Sequence, residues 1–203
     1  MAIWLFWPVA VLPALVWVYV LCFFRDPQRR PAEENAFISP ADGKVVDITP
    51  VGAESPLGTD GVRIGIFMSI FDVHVNRSPC AAAVVKIEHR PGGYADARKP
   101  EAAERNESST ICLSATGGDG RAFPVVVRQI AGLIARRIVT DLCVGQKVIT
   151  AQQIGMVKFG SRVETMIPHN MIGEIAVQIG QTVRAGRTVL ARPTGTDQAS
   201  QEK

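Results

Sequence analysis

The dipeptide Gly160-Ser161, set in Lys158-Phe159-Gly160-Ser161-Arg162-Val163-Glu164, has the most distinctive chemistry available to this chain. A serine hydroxyl that follows an unhindered glycine can attack the preceding carbonyl, and an N-to-O acyl shift then replaces the amide by an ester. Elimination of that ester leaves dehydroalanine, whose hydrolysis gives a pyruvoyl group, an electrophilic carbonyl made from the chain itself. Taken alone, the same two residues read as an ordinary turn. The chain has three histidines. His74, in Phe71-Asp72-Val73-His74-Val75-Asn76, reads on its own as a hydrogen-bonded core histidine on a strand. His89 and His169 sit beside Pro91-Gly92-Gly93 and Pro168 and read as exposed loop residues. Asp42 precedes Gly43 and on its own reads as a turn residue.

The elements that must position these groups are mostly strands. Asp42-Gly43 is a turn signal directly before the apolar run Lys44-Val45-Val46-Asp47-Ile48. Val62 to Met68 alternates and then becomes wholly apolar, as a strand entering a core does. Val84 to Ile87, Ser109 to Leu113 and Phe123 to Ile130 are further strands, with Gly117-Gly118-Asp119-Gly120 making a hairpin between the last two. Helix is expected only near Pro100 to Asn106 and Leu133 to Arg137. A long polar loop is expected from His89 to Asn106, and its Arg90, Arg98, Lys99 and Arg105 read as solvated charge or as contacts to membrane or substrate. The fold class is mainly β.

A chain of 203 residues, 47% hydrophobic and 20% charged, suffices for one substantial core or a smaller domain with an anchor. The net charge of +3 and pI near 8.8 fit contact with anionic lipid or a phosphorylated substrate, but are too weak to argue for nucleic acid, and no nucleic-acid partner is expected. Cys22, Cys80, Cys112 and Cys143 lack zinc or C-x-x-C spacing and read as buried, reduced core residues, which favours the cytosol for the globular part. No metal site is expected.

From Ile3 to Phe24 no residue is charged. A hydrophobic helix of about 20 residues suffices to cross a bilayer core, and residues 1–25 are read as an N-terminal membrane anchor. The alternative of a cleaved signal peptide lacks a basic start and a small-x-small cleavage site. Arg25, Arg29 and Arg30 follow the run, so residues 26–203 are expected at the cytoplasmic face of the cell membrane.

An internal repeat marks the C-terminal third. Val144-Gly145-Gln146-Lys147-Val148 aligns with Ile179-Gly180-Gln181-Thr182-Val183, and Ala151 in the first copy occupies the place of Gly186 in the second. The pattern resembles the turn of biotinyl and lipoyl carrier domains, which implies a flattened β-barrel or sandwich built from hammerhead-like repeats. No lysine occupies a hairpin tip as carrier chemistry requires.

Three segments together resemble the phosphatidylserine decarboxylases, in their short prokaryotic form. They are Ser39-Pro40-Ala41-Asp42-Gly43, then Met68-Ser69-Ile70-Phe71-Asp72-Val73-His74-Val75-Asn76-Arg77-Ser78-Pro79, then Gly155 to Val163. Phe23-Phe24-Arg25-Asp26-Pro27 and Ile134-Ala135-Arg136-Arg137-Ile138 extend the likeness over nearly the whole chain from Phe23. The resemblance implies a proenzyme that cuts itself between Gly160 and Ser161 into a β chain, 1–160, and an α chain, 161–203, that opens with a pyruvoyl group derived from Ser161. The pyruvoyl would form a Schiff base with phosphatidylserine and accept the electrons released with carbon dioxide, giving phosphatidylethanolamine without pyridoxal phosphate or metal. The implied partners are the membrane phosphatidylserine, the two chains of one proenzyme, and a second copy of the chain in a homo-oligomer.

By the same resemblance Ser161 is nucleophile and cofactor precursor, and Gly160 supplies the attacked carbonyl. Asp42 is the carboxylate of self-cleavage, orienting or charging a histidine, and His74 is the base. Lys158, Arg77 and Arg162 are substrate-binding candidates, with a solvated surface charge as the other reading of Arg162. Longer members of the family carry D-Y-H-x-x-H and Leu-Gly-Ser-Thr, where this chain has Arg77 at the second histidine position and Phe159-Gly160-Ser161-Arg162 at the cut. Two other functions fit parts of the pattern. One is a membrane-tethered, non-catalytic carrier-like adaptor with an intact chain; the other is a pyruvoyl decarboxylase acting on a related serine phospholipid or a soluble amino acid.

Overall fold

In the computed structural model, residues 3–99, 101–133, 137–158 and 160–194 are described, with side chains from Ala10 onward in the first helix. Parts of three sequence expectations therefore lie outside the described residues: Pro100 at the start of the first short helix, Ile134 to Arg136 in the second, and Phe159 beside the scissile bond. Helix α1 (Ile3–Phe23) is followed by β1 (Phe37–Ile38), β2 (Gly43–Val51), β3 (Gly61–Met68), β4 (Val75–Arg77) and β5 (Ala82–Arg90). The short helix α2 (Ala102–Arg105) then precedes β6 (Ser108–Thr116), β7 (Ala122–Ile130), β8 (Ile138–Thr140), β9 (Lys147–Val148) and β10 (Gln153–Val157). The chain closes with β11 (Ser161–Pro168), β12 (Ile172–Ile175), β13 (Thr182–Val183) and β14 (Val189–Pro193).

Eight strands form one curled antiparallel sheet in the order β13-β2-β3-β11-β7-β6-β5-β9. Smaller sheets, β4-β10-β8 and β1-β14-β12, complete the set. Alternation on the pleat sends Ile64, Ile66, Val163, Ile167, Ile111 and Val127 into one shared core. Each such side chain contributes about 1.5–3 kcal/mol through burial. Strand β11 lies centrally between β3 and β7. All its residues are buried, so whatever begins it is held on both sides.

The two repeat copies take the same backbone path and form the two edges of the large sheet. Gly145 and Gly180 have φ of 87° and 90°, and each donates its N–H to the neighbouring strand, at Val84 O and Val45 O. At the next turn Ala151 (φ 66°) matches Gly186 (φ 68°). The alanine adopts a left-handed conformation that glycine would take at no cost.

Two expectations are corrected. None of the four cysteines is fully buried: Cys22 and Cys143 are exposed, on α1 and in the turn before β9, while Cys80 and Cys112 are half-buried and pack only against the margin of the core, all as free thiols. The polar stretch from His89 is no open loop: His89 and Arg90 extend β5, α2 follows, and Asn106 ties the segment down. The expected N-terminal helix, α1, forms over 21 residues. Among the described residues, however, no helix is long and apolar enough to cross a membrane.

Candidate active site

Ser161 is the first residue of β11 and lies opposite Met68 of β3. It shares the inward face with Val163 and is fully buried. Its hydroxyl donates to Val157 O at 3.2 Å and approaches Met68 Sδ at 3.5 Å. Gly160 has φ +67°, and a Cβ there would meet nothing within 4 Å. Glycine is therefore required for its left-handed backbone, not for want of space.

The opposite holds at Gly132, where a Cβ would fall 1.8 Å from Gly160 O. The Gly132 backbone thus lies directly against the carbonyl that Ser161 would attack. Its neighbour Ala131 is fixed by a bond from its N–H to Glu107 O (2.9 Å) and by one from Asn106 Nδ2 to its own carbonyl (2.7 Å). Asn106 is fully buried and uses its remaining amide atoms on Ala95 N and Ala95 O. Neither Gly132 nor Asn106 was singled out from sequence. The Ala131-Gly132 pair directly after an apolar strand was the available signal for a close backbone approach.

His74 is fully buried just before β4, its ring 4.4 Å from that of Phe23 at the end of α1. Nδ1 lies 2.8 Å from Asp72 O. A carbonyl only accepts, so Nδ1 carries the proton and Nε2 of the neutral ring is the basic nitrogen. Burial pushes the imidazole below its ordinary 6.5, outweighing the Asp72 carbonyl and carboxylate, which pull it up. The result is a neutral ring at physiological pH, the form a general base requires.

Asp42 is not bonded to His74. Its Oδ1 accepts from Ala185 N (2.7 Å) and its Oδ2 from Arg29 Nη2 (2.9 Å), which joins the start of β2 to the segment after α1 and to the C-terminal repeat. Burial raises its pKa from 3.8, against the lowering by Ala185 N–H and Arg29. The Asp72 carboxylate raises both Asp42 and His74, so the acidic group acting on the pair is Asp72, two residues before the histidine. Arg77, where longer relatives have a histidine, is committed to Ala151 O (2.9 Å), Asp26 Oδ1 (2.5 Å) and Pro27 O (3.2 Å). It clamps the chain leaving α1 onto β4 rather than facing a substrate.

A family model for phosphatidylserine decarboxylase matches residues 18–191. Among curated proteins, the phosphatidylserine decarboxylase proenzyme of Rhodopirellula baltica is 42% identical over 190 residues, covering 93% of this chain and 78% of the relative. The proenzyme of Salinibacter ruber is 45% identical over 179 residues (86% and 75%), and that of Nitrobacter winogradskyi 42% over 198 (96% and 78%). The chain belongs to the phosphatidylserine decarboxylase family.

In this phosphatidylserine decarboxylase fold, Arg162 is neither a solvated charge nor on the Ser161 side of the sheet. It is 1% exposed, and alternation along β11 turns it to the outer face. There Nε donates to Glu164 Oε1 (3.0 Å) and Nη2 pairs with Asp47. Arg63 and Arg128 complete the cluster around the same two carboxylates. Lys158, two residues before Gly160, is half-buried with its ammonium 5.1 Å from the Phe24 ring, and among the described residues no carboxylate pairs with it. His89 is exposed and 3.6 Å from Glu107, and His169 is exposed, both as expected.

A buried chain of neutral polar groups leads inward from Ser161. Asn76 Nδ2 reaches Met68 Sδ (3.6 Å), Gln129 Nε2 donates to Asn76 Oδ1 (2.8 Å), and Thr140 Oγ1 donates to Gln129 Oε1 (3.0 Å). Gln129, at a buried position after the apolar run Val125-Val126-Val127, was its signal in the sequence. A separate cavity of 470 Å³, lined by Phe37, Phe123 and Met171, opens near the start of β7. Ile130, at the other end of that strand, is the residue that pairs with Arg162, so the cavity is remote from Ser161. Among the described residues no group of three His, Cys, Asp or Glu side chains could hold a metal ion.

Proposed function

We propose that this family member is a self-cleaving phosphatidylserine decarboxylase whose pyruvoyl group comes from Ser161. The observation that carries the reading is the buried Ser161 hydroxyl behind a left-handed Gly160 whose carbonyl lies against the Gly132 backbone. Self-cleavage begins when Ser161 Oγ, losing its proton to His74, adds to the Gly160 carbonyl. The C–N bond breaks, the Ser161 amine takes a proton, and an ester joins Gly160 to Oγ. Loss of the Ser161 Cα proton then expels the Gly160 carboxylate, which ends the β chain at residue 160 and starts the α chain at 161. Hydrolysis of the dehydroalanine releases ammonia.

The residues present fit such a group. Ser161 is sealed from water, which protects an electrophile, and the groups nearest it are neutral. A pyruvoyl carbonyl supplies the electron sink that amino-acid side chains lack. In the second reaction His74 holds or returns a proton, with its Nδ1 fixed on Asp72 O. Asp72 tunes His74, while Asp42 and Arg77 position the strands around it. Lys158 meets the lipid phosphate.

Residues 1–25 serve as the membrane anchor, with 26–203 as the decarboxylase domain at the cytoplasmic face. The matched repeat edges are of the hammerhead type, without carrier function. The reading is tested by offering the purified chain vesicles containing phosphatidylserine. Formation of phosphatidylethanolamine and carbon dioxide by the wild type, and neither by Ser161→Ala, is expected. Turnover by Ser161→Ala would refute the assignment.

A further inference from the structure

Exposed apolar side chains gather where the chain touches the scissile bond. Phe71 is 72% exposed and Leu133 67%, and both lie on the segments that contact Gly160-Ser161. Phe71 is three residues beyond Met68, the partner of Ser161 across the sheet, and Leu133 follows Gly132, which lies against Gly160 O. Scattered exposed apolar residues are ordinary. Val144 and Ile179, for example, occupy matching repeat positions at the two sheet edges.

The display of Phe71 is built. Ser69 N donates to Asp72 Oδ2 (2.7 Å), Phe71 N to Ser69 Oγ (3.4 Å) and Asp72 N to Ser69 O (3.2 Å), which makes a closed turn. That turn is pinned to the end of α1 by Arg25 Nη2 on Phe71 O (3.1 Å) and by Tyr19 OH on Ile70 O (3.5 Å). The exposed Trp17, Leu21 and Phe24 continue the apolar surface along α1. Two cations flank it: Arg25 at the turn, and Lys158 against the Phe24 ring. Apolar side chains among basic ones are what an anionic lipid surface accepts, the rings and leucines entering below the headgroups and the cations meeting them.

We propose that Phe71 and Leu133 form a lipid-inserting rim at the Ser161 end of the curled sheet, so that the buried site lies beneath an anionic bilayer surface and not beneath bulk water. This rests on the reading of the substrate as a membrane phospholipid. The turn that inserts also carries Asp72 O, which holds His74 Nδ1. Membrane engagement and the catalytic base therefore share one short segment.

The full-length Phe71→Ser/Leu133→Ser chain is compared with wild type on two substrates: phosphatidylserine in phosphatidylcholine vesicles, and monomeric short-chain phosphatidylserine. The ratio of vesicle to monomer turnover should fall by about tenfold or more, since two large apolar contacts with lipid are lost. An unchanged ratio would overturn the rim. Wild-type failure on both substrates would instead overturn the decarboxylase reading. A measurement independent of self-cleavage uses the Ser161→Ala chain with Cys22 and Cys143 replaced by serine and an environment-sensitive dye on Leu133→Cys. Its emission should shift to the blue with anionic vesicles and less with phosphatidylcholine alone. No shift would overturn the proposal even if the chain still decarboxylates.

Discussion

Ser161 and Arg162 are adjacent, both fully buried, and on opposite faces of β11 in opposite electrostatic settings. Toward Ser161 the polar partners are neutral: a carbonyl, a thioether, and the Asn76-Gln129-Thr140 chain, with His74 held in its neutral form. Toward Arg162 the surroundings are ionic, with Glu164 and Asp47 shared among three arginines. The groups that contact the Ser161 hydroxyl, a carbonyl and a thioether, carry no fixed charge. The outer face gathers its charges into one ion-paired cluster on the strand that begins at Ser161.

The strongest way to break this contrast is to remove the base. His74→Ala should slow self-cleavage by about 10²- to 10⁴-fold, followed as the conversion of full-length chain to two fragments on a gel. Cleavage at the wild-type rate would shift the role to another group. On the other face, Arg162→Met leaves Glu164 and Asp47 short of a cation and should cost about 3–5 kcal/mol of stability, since a buried ion pair is broken from one side. The urea midpoint should fall while the folded fraction still cleaves. If stability held and cleavage stopped, Arg162 would belong to the chemistry after all.

A smaller displacement is expected from Gly132→Ala. The added methyl must push the Gly160 carbonyl aside, and self-cleavage should slow by about 10²-fold, the scale of a misplacement near 1 Å. Gly160→Ala, which meets no neighbour, should act only through its backbone preference.

The smallest effect is on pH. Because burial depresses His74, the acid limb of self-cleavage should lie below the ordinary 6.5. Stability follows the same sign. The unfolded chain takes up this proton first as pH falls below 6.5, so the His74 contribution is present above that value and lost below it. Asp42, raised from 3.8, acts oppositely: its contribution is present at low pH and lost as pH rises through its folded value. Thermal melts of Asp42→Asn and His74→Gln across this range separate the two.

What could be read in the sequence was whatever depends on local pattern. Strands β2, β3, β5, β6 and β7 follow from alternation and Asp-Gly or Gly-rich turns, and the repeat was legible because its glycines and glutamines make the same short-range bonds twice. Gly160-Ser161 and His74 were found through motif order. What could not be read depended on register between distant segments. Asp42 meets Ala185 N 143 residues away, and Arg162 meets Asp47 115 residues away, so their partners stayed hidden and a buried, ion-paired arginine read as a substrate contact or a solvated charge. Gly132 was missed for the same reason, since its importance lies entirely in a carbonyl brought to it from another strand.

The decisive observation is the intact mass of the purified wild-type protein under denaturing conditions. Two species are expected, residues 1–160 ending in a free carboxylate and residues 161–203 opening with a pyruvoyl group in place of serine. A single full-length chain, or a cut at any other bond, would contradict the assignment of Gly160-Ser161.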